Sequence, residues 1–272
     1  MRRATFAALL GLLAVGTARA QDEPFPATSD AGIRPRGSLQ VGLFSPIRVG
    51  LDRLVELETQ LGWWAMLSPN VALRLAHLDG DRLRLTSSIG LSTPTPALRL
   101  LEGYLLPSWD KSERDAGWFV VPELGLAAST GRRLVLTLRS AVAVGLGIGE
   151  NAARPLDTYA PVELVFAPAL SGFRVSTTAV GDYRVLRWLR LRLELSLHAV
   201  GEGDPPRSPW IVQGSLAADL ALGRSWRLSL GVTWYNHDQH AQEVVRGPDG
   251  RWERQDVRSN DVYPMFDVAW IR

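Results

Sequence analysis

From Leu189 to His198 every second residue is leucine, and the residues between are Arg190, Arg192, Glu194, Ser196 and His198. Successive side chains of a β-strand point to opposite faces, so this stretch has one greasy and one polar side. Wound as a helix it would scatter arginine around every face. The same two-residue period returns over 134–146, 210–222 and 226–235. Read from Ser38 onward, the pattern predicts strands at 38–44, 47–51, 54–65, 70–78, 83–91, 117–128, 133–146, 172–184, 189–200, 209–222, 226–236 and 261–271. That is twelve strands, or ten if Pro46 kinks one strand instead of turning between two. The stretch 161–170 either extends the eighth strand or forms one of its own.

Connection length sorts by side. Tight links fall at 52–53, 79–81, 130–132, 186–188 and 223–225, and longer ones at 92–116, 147–160, 201–208 and 237–260. Short and long links alternate along most of the chain, as in membrane barrels with short periplasmic turns and longer external loops. A soluble sandwich has no reason to sort its loops this way. The fold expected is therefore all-β, a single antiparallel up-and-down transmembrane barrel over residues 38–272.

The apolar face of these strands carries no Asp, Glu, Lys or Arg, and His77 is its most polar member. The opposite face carries Arg48, Glu56, Glu58, Arg74, Arg84, Glu123, Arg139, Arg174, Asp182, Arg184, Arg190, Arg192, Glu194, Asp219, Arg227 and Asp267. One arginine turned to lipid at the midplane costs roughly 2–4 kcal/mol. Several together would exceed the whole stability of a domain, about 5–15 kcal/mol. The charged face is thus expected to line the lumen. Tryptophan favours the membrane–water boundary. Trp63, Trp64, Trp118, Trp210 and Trp234 fall at long-loop ends of the expected strands, and Trp188, Trp226 and Trp270 at short-turn ends, which reads as two aromatic girdles.

The N-terminus has the order of a secretory signal: Arg2-Arg3, an apolar run from Ala4 to Gly16, then Ala18-Arg19-Ala20. Residues 1–20 are expected to be cleaved, and residues 21–37 to form either a periplasmic tether or a plug in the barrel. No later apolar stretch reaches the roughly 20 residues of a spanning helix, so any span must be made of strands. The chain has no cysteine, which excludes disulfides, thiolate metal sites and cysteine nucleophiles. Its formal net charge is +2 and no basic cluster marks a nucleic-acid surface.

Two segments resemble the outer-membrane β-barrel (porin-like) proteins of Gram-negative bacteria. Val49-Gly50-Leu51-Asp52-Arg53-Leu54-Val55-Glu56-Leu57 resembles a glycine-turn-glutamate hairpin found among them. Tyr263-Pro264-Met265-Phe266-Asp267-Val268-Ala269-Trp270 resembles their closing-strand signal, although the chain ends in Ile271-Arg272 instead of an aromatic residue. The resemblance implies an outer-membrane location, contact with outer-membrane lipid, and recognition of the last strand by the barrel assembly machinery.

Candidate chemistry is sparse. Ser196, His198 and Asp219 have the residue types of a hydrolase triad but no nucleophile-elbow motif. His237-Asp238-Gln239-His240 has metal-ligand types in an expected loop. In both cases the simpler reading, a polar lining or a solvated loop, is favoured, so neither catalysis, metal nor cofactor is expected. Trp109 is a candidate contact residue, and Gly247-Pro248-Asp249-Gly250 a turn in a projecting hairpin. Small inward residues, namely Gly62, Ala76, Gly90, Gly125, Ala141, Ala143, Gly145 and Gly231, predict free volume beside the arginines. The function expected is a passive channel for small polar or anionic solutes. The alternatives are a closed barrel that meets a partner through its loops, and a soluble exported sandwich or lipocalin-like binder. A membrane hydrolase ranks last.

Overall fold

A computed structural model describes residues 27–65, 67–80, 83–101, 118–148, 160–201, 208–246, 248 and 251–272, without the side chains of 99–101, 239–246 and 252–256. The expected signal peptide, Trp109 and most of three long links lie outside the described residues.

The strands are β1 (Leu39–Gly42), β2 (Ile47–Gly50), β3 (Val55–Thr59), β4 (Asn70–Asp79), β5 (Leu83–Ser92), β6 (Trp118–Thr130) and β7 (Leu134–Val144). They continue as β8 (Leu146–Ile148), β9 (Phe173–Leu186), β10 (Leu189–Val200), β11 (Trp210–Leu222), β12 (Trp226–Arg246) and β13 (Trp252–Ile271). β8 prolongs β7 past Gly145, so the wall has twelve strands. Each pairs antiparallel with its neighbours in sequence; β13 returns to β1, and β5 joins β6 to close the ring. Closure leaves no continuous sheet edge, the condition for a β structure in lipid.

The outer wall is apolar. Leu124 and Leu193 are 62% and 64% exposed, and leucine, valine and phenylalanine dominate the surface on every long strand. Arg190 and Asp182, on the other side of the same sheet, are 1% and 0% exposed. A wall greasy outside and charged inside defines a transmembrane barrel. The tight turns gather at one end, where Gly131 (φ 98°) and Gly223 (φ 76°) occupy the left-handed region that glycine enters without penalty.

Three expectations need correction. The strand expected at 54–65 stops at Thr59, and Leu61–Ala65 form a helical turn, α1. The stretch 161–170 is neither a strand nor part of one; it is helix α3 (Ala160–Ser171). Pro161 fits the first turn of a helix, and both Pro161 and Pro168 would remove donors from a sheet ladder. Finally, 237–260 is not one loop, because β12 and β13 run on and pair out to Arg246–Trp252. The turn expected at 247–250 falls between them, and of its residues 247, 249 and 250 lie outside the described residues.

The wall is lowest at β1 and β2, four residues each, beside the much longer β13. The pairing of β1 with β13 ends at Gly42–Ala269, and the Leu43 N–H reaches Val268 O. Backbone groups alternate sides along a strand, so the Pro264 nitrogen points the same way as that of Val268. It faces the side where β1 has already ended, and its missing N–H breaks no bond there.

The interior is filled in layers. At the short-turn end lies the segment Thr28–Pro35, and charged side chains occupy the middle. At the long-loop end α3 sits inside the ring with α2 (Thr95–Leu101). Phe166, Ala169 and Leu170 of α3 pack on Leu98, Phe119, Val121 and Ala143. On its other side Ala160, Leu164 and Ala167 meet Val200, Ile211 and Tyr235. Wall surrounds α3, so it is apolar almost all round, as an enclosed helix must be.

Candidate functional site: the barrel interior

All sixteen charged residues expected to line the lumen are buried or half-buried, and none lies on the exposed outer surface. Most are paired across the wall. Arg190 Nε donates to Asp182, and Arg74 Nη1 to Glu56. Arg48 Nε lies 3.1 Å from Glu58, Arg174 Nη2 2.7 Å from Glu123, and Arg192 Nη1 3.8 Å from Asp219. Asp267 accepts the Phe44 N–H at 2.8 Å and the Ser45 N–H at 3.2 Å, fastening the β1–β2 turn. Arg139 is different. Its Nη2 donates to the Ser29 carbonyl at 2.7 Å, and no carboxylate lies within 4 Å of it among the described residues.

The segment Thr28–Pro35 draws on the same wall. The Thr28 hydroxyl donates to Asp219 at 2.7 Å and accepts from Arg227 at 3.1 Å. The Ala31 N–H reaches Ser129 Oγ at 3.1 Å, and Arg74 Nη2 donates to the Ala31 carbonyl at 3.2 Å. Asp30 pairs with Arg84, and the Arg34 N–H donates to Glu56 at 2.8 Å. A side chain at Gly50 would strike the Pro35 carbonyl, so glycine there lets the segment lie close. Burial, then the neighbouring Arg48, lower the Arg34 pKa to about 10, and the guanidinium stays charged at neutral pH. Of the two places open to this segment, the contacts put Thr28–Pro35 inside the ring.

Two cavities follow one side of the lumen. The upper, about 160 Å³, runs past α3 between Val165, Pro168, Gln60, Asn70 and Ser92. The lower, about 180 Å³, is lined by Arg48, Arg74, Arg139, Thr86 and Ser88. Both are bordered by Glu58, Ala72 and Glu123, which makes them consecutive. Thr86, at the foot of the lower one, donates to the Ala31 carbonyl, so this path meets the N-terminal segment.

The small residues expected to leave space divide into two groups. Gly90, Gly125 and Ala141 border the cavities. Ala143 is instead covered by α3, and a side chain at Gly145 would strike the Pro168 carbonyl. Gly62 lies on α1, and Gly231 lets the Leu216 carbonyl approach. Gly201 seats the Ser171 carbonyl at the end of α3, which the periodicity gave no reason to expect.

Among the described residues neither candidate chemical group is assembled, and the side chain of His240 lies outside them. Ser196 Oγ bonds Thr178 at 2.9 Å, His198 Nδ1 bonds Ser176 at 2.8 Å, and Asp219 holds Thr28. His237 Nε2 bonds Asp261 at 2.8 Å, while Asp238 accepts the Ser208 N–H at 2.8 Å. The segment expected as a loop at 237–240 is strand, so the His237 ring and the Asp238 carboxylate have different side-chain partners, although His237 Nδ1 also bonds the Asp238 carbonyl oxygen at 3.1 Å. Among the described residues no group of three or more metal-ligand side chains forms.

Trp188, Trp226 and Trp270, expected as one girdle, stand at the short-turn end, the last two directly paired. At the other end Trp64, Trp118 and Trp210 are exposed on the outside. Trp63 departs from the expected belt: it stands on α1 and lines the upper cavity. Trp234 is outward but inside a longer strand, stacked over the bare backbone of Gly214.

No protein-family model matches the chain, and the search of characterised protein sequences found no match. Similarity in structure is found to outer-membrane expressed OmpT of Vibrio cholerae, with 8% identity, a TM-score of 0.43, and coverage of 86% of this chain and 64% of that one. The outer membrane channel DcaP of Acinetobacter baumannii gives 11% identity and a TM-score of 0.38, covering 86% and 62%. The CymD monoaromatic hydrocarbon channel gives 8% and 0.39, covering 88% and 89%. The chain thus spans less than two thirds of the OmpT and DcaP chains, and likeness at this level carries nothing about solute or activity.

Proposed function

We propose that this chain is a porin-like channel of the Gram-negative outer membrane, exported by a cleaved signal at residues 1–20. Its cargo is small polar or anionic solutes. The observation that carries this reading is the run of two cavities from beside α3 to the Arg48–Arg74–Arg139 chamber. A path that narrows onto guanidinium groups favours anions over cations. The apolar outer wall meets outer-membrane lipid, and β13 is the segment offered to the assembly machinery.

The N-terminal segment acts as a stopper at the short-turn end, so the full chain conducts little until it moves. One observation favours a second reading, a closed barrel serving a loop-bound partner: the lumen is obstructed at both ends. Planar-bilayer recording separates the two. The channel reading expects small, anion-preferring conductance from the mature chain and a several-fold rise when residues 21–35 are removed. Folded protein that stays silent in both forms would overturn it.

A further inference from the structure

We infer that the lower chamber is a binding site for one small oxyanion, a carboxylate or a phosphate, held by Arg139. This deepens the channel reading by placing its cargo-binding step at one residue. Around the chamber Arg48 and Arg74 are balanced by Glu56 and Glu58, with Arg48 3.8 Å from Glu56 and Arg74 3.8 Å from Glu58. Among the described residues Arg139 has no such partner: its acceptor is the neutral Ser29 carbonyl, so no ion pair holds the guanidinium. Glu194 and Glu58 act on it electrostatically, both from beyond ion-pair distance.

A guanidinium held away from bulk water without an ion-pair partner is costly, and an anion relieves that cost through charge-assisted hydrogen bonds. The chamber's volume of about 180 Å³ holds several waters or a few-atom anion, not a sugar chain. Ser88, on β5 with its hydroxyl over Gly125, supplies a neutral donor two strands along the wall from Arg139. The site also touches the stopper, because Arg139 and Arg74 both donate to carbonyls of Ser29–Ala31. An anion drawn to these arginines competes with the stopper's own carbonyls.

The test is calorimetric titration of the folded mature chain in detergent, with inorganic phosphate in one arm and acetate in the other. The expected result is saturable one-to-one binding of at least one anion, weakened tenfold or more by Arg139→Gln and partly kept by Arg139→Lys. Ala141→Asp, which places a carboxylate two residues along the same face of β7, weakens it with the arginine intact; Glu194→Gln tightens it. Heat-dependent gel mobility confirms that each variant is folded, and Ala141→Asp decides the matter if Arg139→Gln does not fold. No saturable binding by the wild type, or equal affinity in Arg139→Gln or Ala141→Asp, overturns the site. Binding without conductance would remove the channel reading and leave the site; conductance without binding would do the reverse.

Discussion

The hydroxyl of Thr28 donates to the carboxylate of Asp219 across 2.7 Å, joining residues 191 positions apart. That bond ties a segment lying ahead of β1 to β11, inside the ring, and Asp219 also faces Arg192 at 3.8 Å. The interior therefore contains part of the chain that a reading of the wall alone would leave outside.

If this segment is seated as a stopper, Ala31, which is wholly buried, is protected from reagents. The chain lacks cysteine, so Ala31→Cys gives a single reporter thiol. It should react slowly with a water-soluble maleimide. Adding Thr28→Val and Asp30→Ala, which remove hydrogen bonds of about 1 kcal/mol each, or more for the charged pair, should raise the rate at least tenfold. Rapid labelling before those changes would show that the segment lies elsewhere.

The two faces of β10 and its neighbour β9 should respond oppositely to charge. Leu193→Arg puts a guanidinium on the lipid side and should cost roughly 2–4 kcal/mol in urea unfolding from phospholipid bilayers. Asp182→Ala removes the carboxylate that accepts from buried Arg190 and, on the inner face, breaks a buried pair at about 3–5 kcal/mol. Were Leu193→Arg harmless, the outer wall would not be facing hydrocarbon.

Helix α3 is seated on glycine. Gly145→Val would drive a side chain into the Pro168 carbonyl, and Gly201→Val into that of Ser171. Overpacking of this kind costs about 1–3 kcal/mol, and the cheapest relief is for α3 to move while the wall holds. Both variants should therefore lose thermal stability and conduct more than the parent. Unchanged conductance in both would mean that α3 does not restrict the path.

Pro264 offers a test of the uneven wall. Because its nitrogen faces the side that β1 has vacated, Pro264→Ala should change stability by well under 1 kcal/mol. The next residue, Met265, pairs with Gly231 and turns its N–H toward β12. Met265→Pro breaks that ladder and should cost about 3 kcal/mol or lower the folded yield. Equal effects at the two positions would contradict the register.

The twelve-strand wall was legible because alternation is a local property: Leu193 and Glu194 differ in polarity whatever surrounds them, and lipid outside with water inside rewards one register alone. What sits within the wall was far less so. The 160–171 segment has no strand period and a pair of prolines, signals that could have marked a helix. The trough that takes it, at Gly145 and Gly201, is formed by strands far apart in the chain. The glycines looked like empty space, and only their neighbours distinguish a cavity border such as Gly90 from a helix seat.

Fold class, the inward register of the charges and the direction of the short turns were determined by the sequence alone, since each follows from side-chain polarity at neighbouring positions and from backbone geometry. The tertiary structure decided which charges meet. Glu56 balances Arg74, Asp182 accepts from Arg190, and Arg139, among the described residues, donates to a carbonyl. Electrostatic pairing depends on distances across a closed ring, and those distances are set by strand register, by shear and by what fills the lumen, none of which a linear pattern encodes.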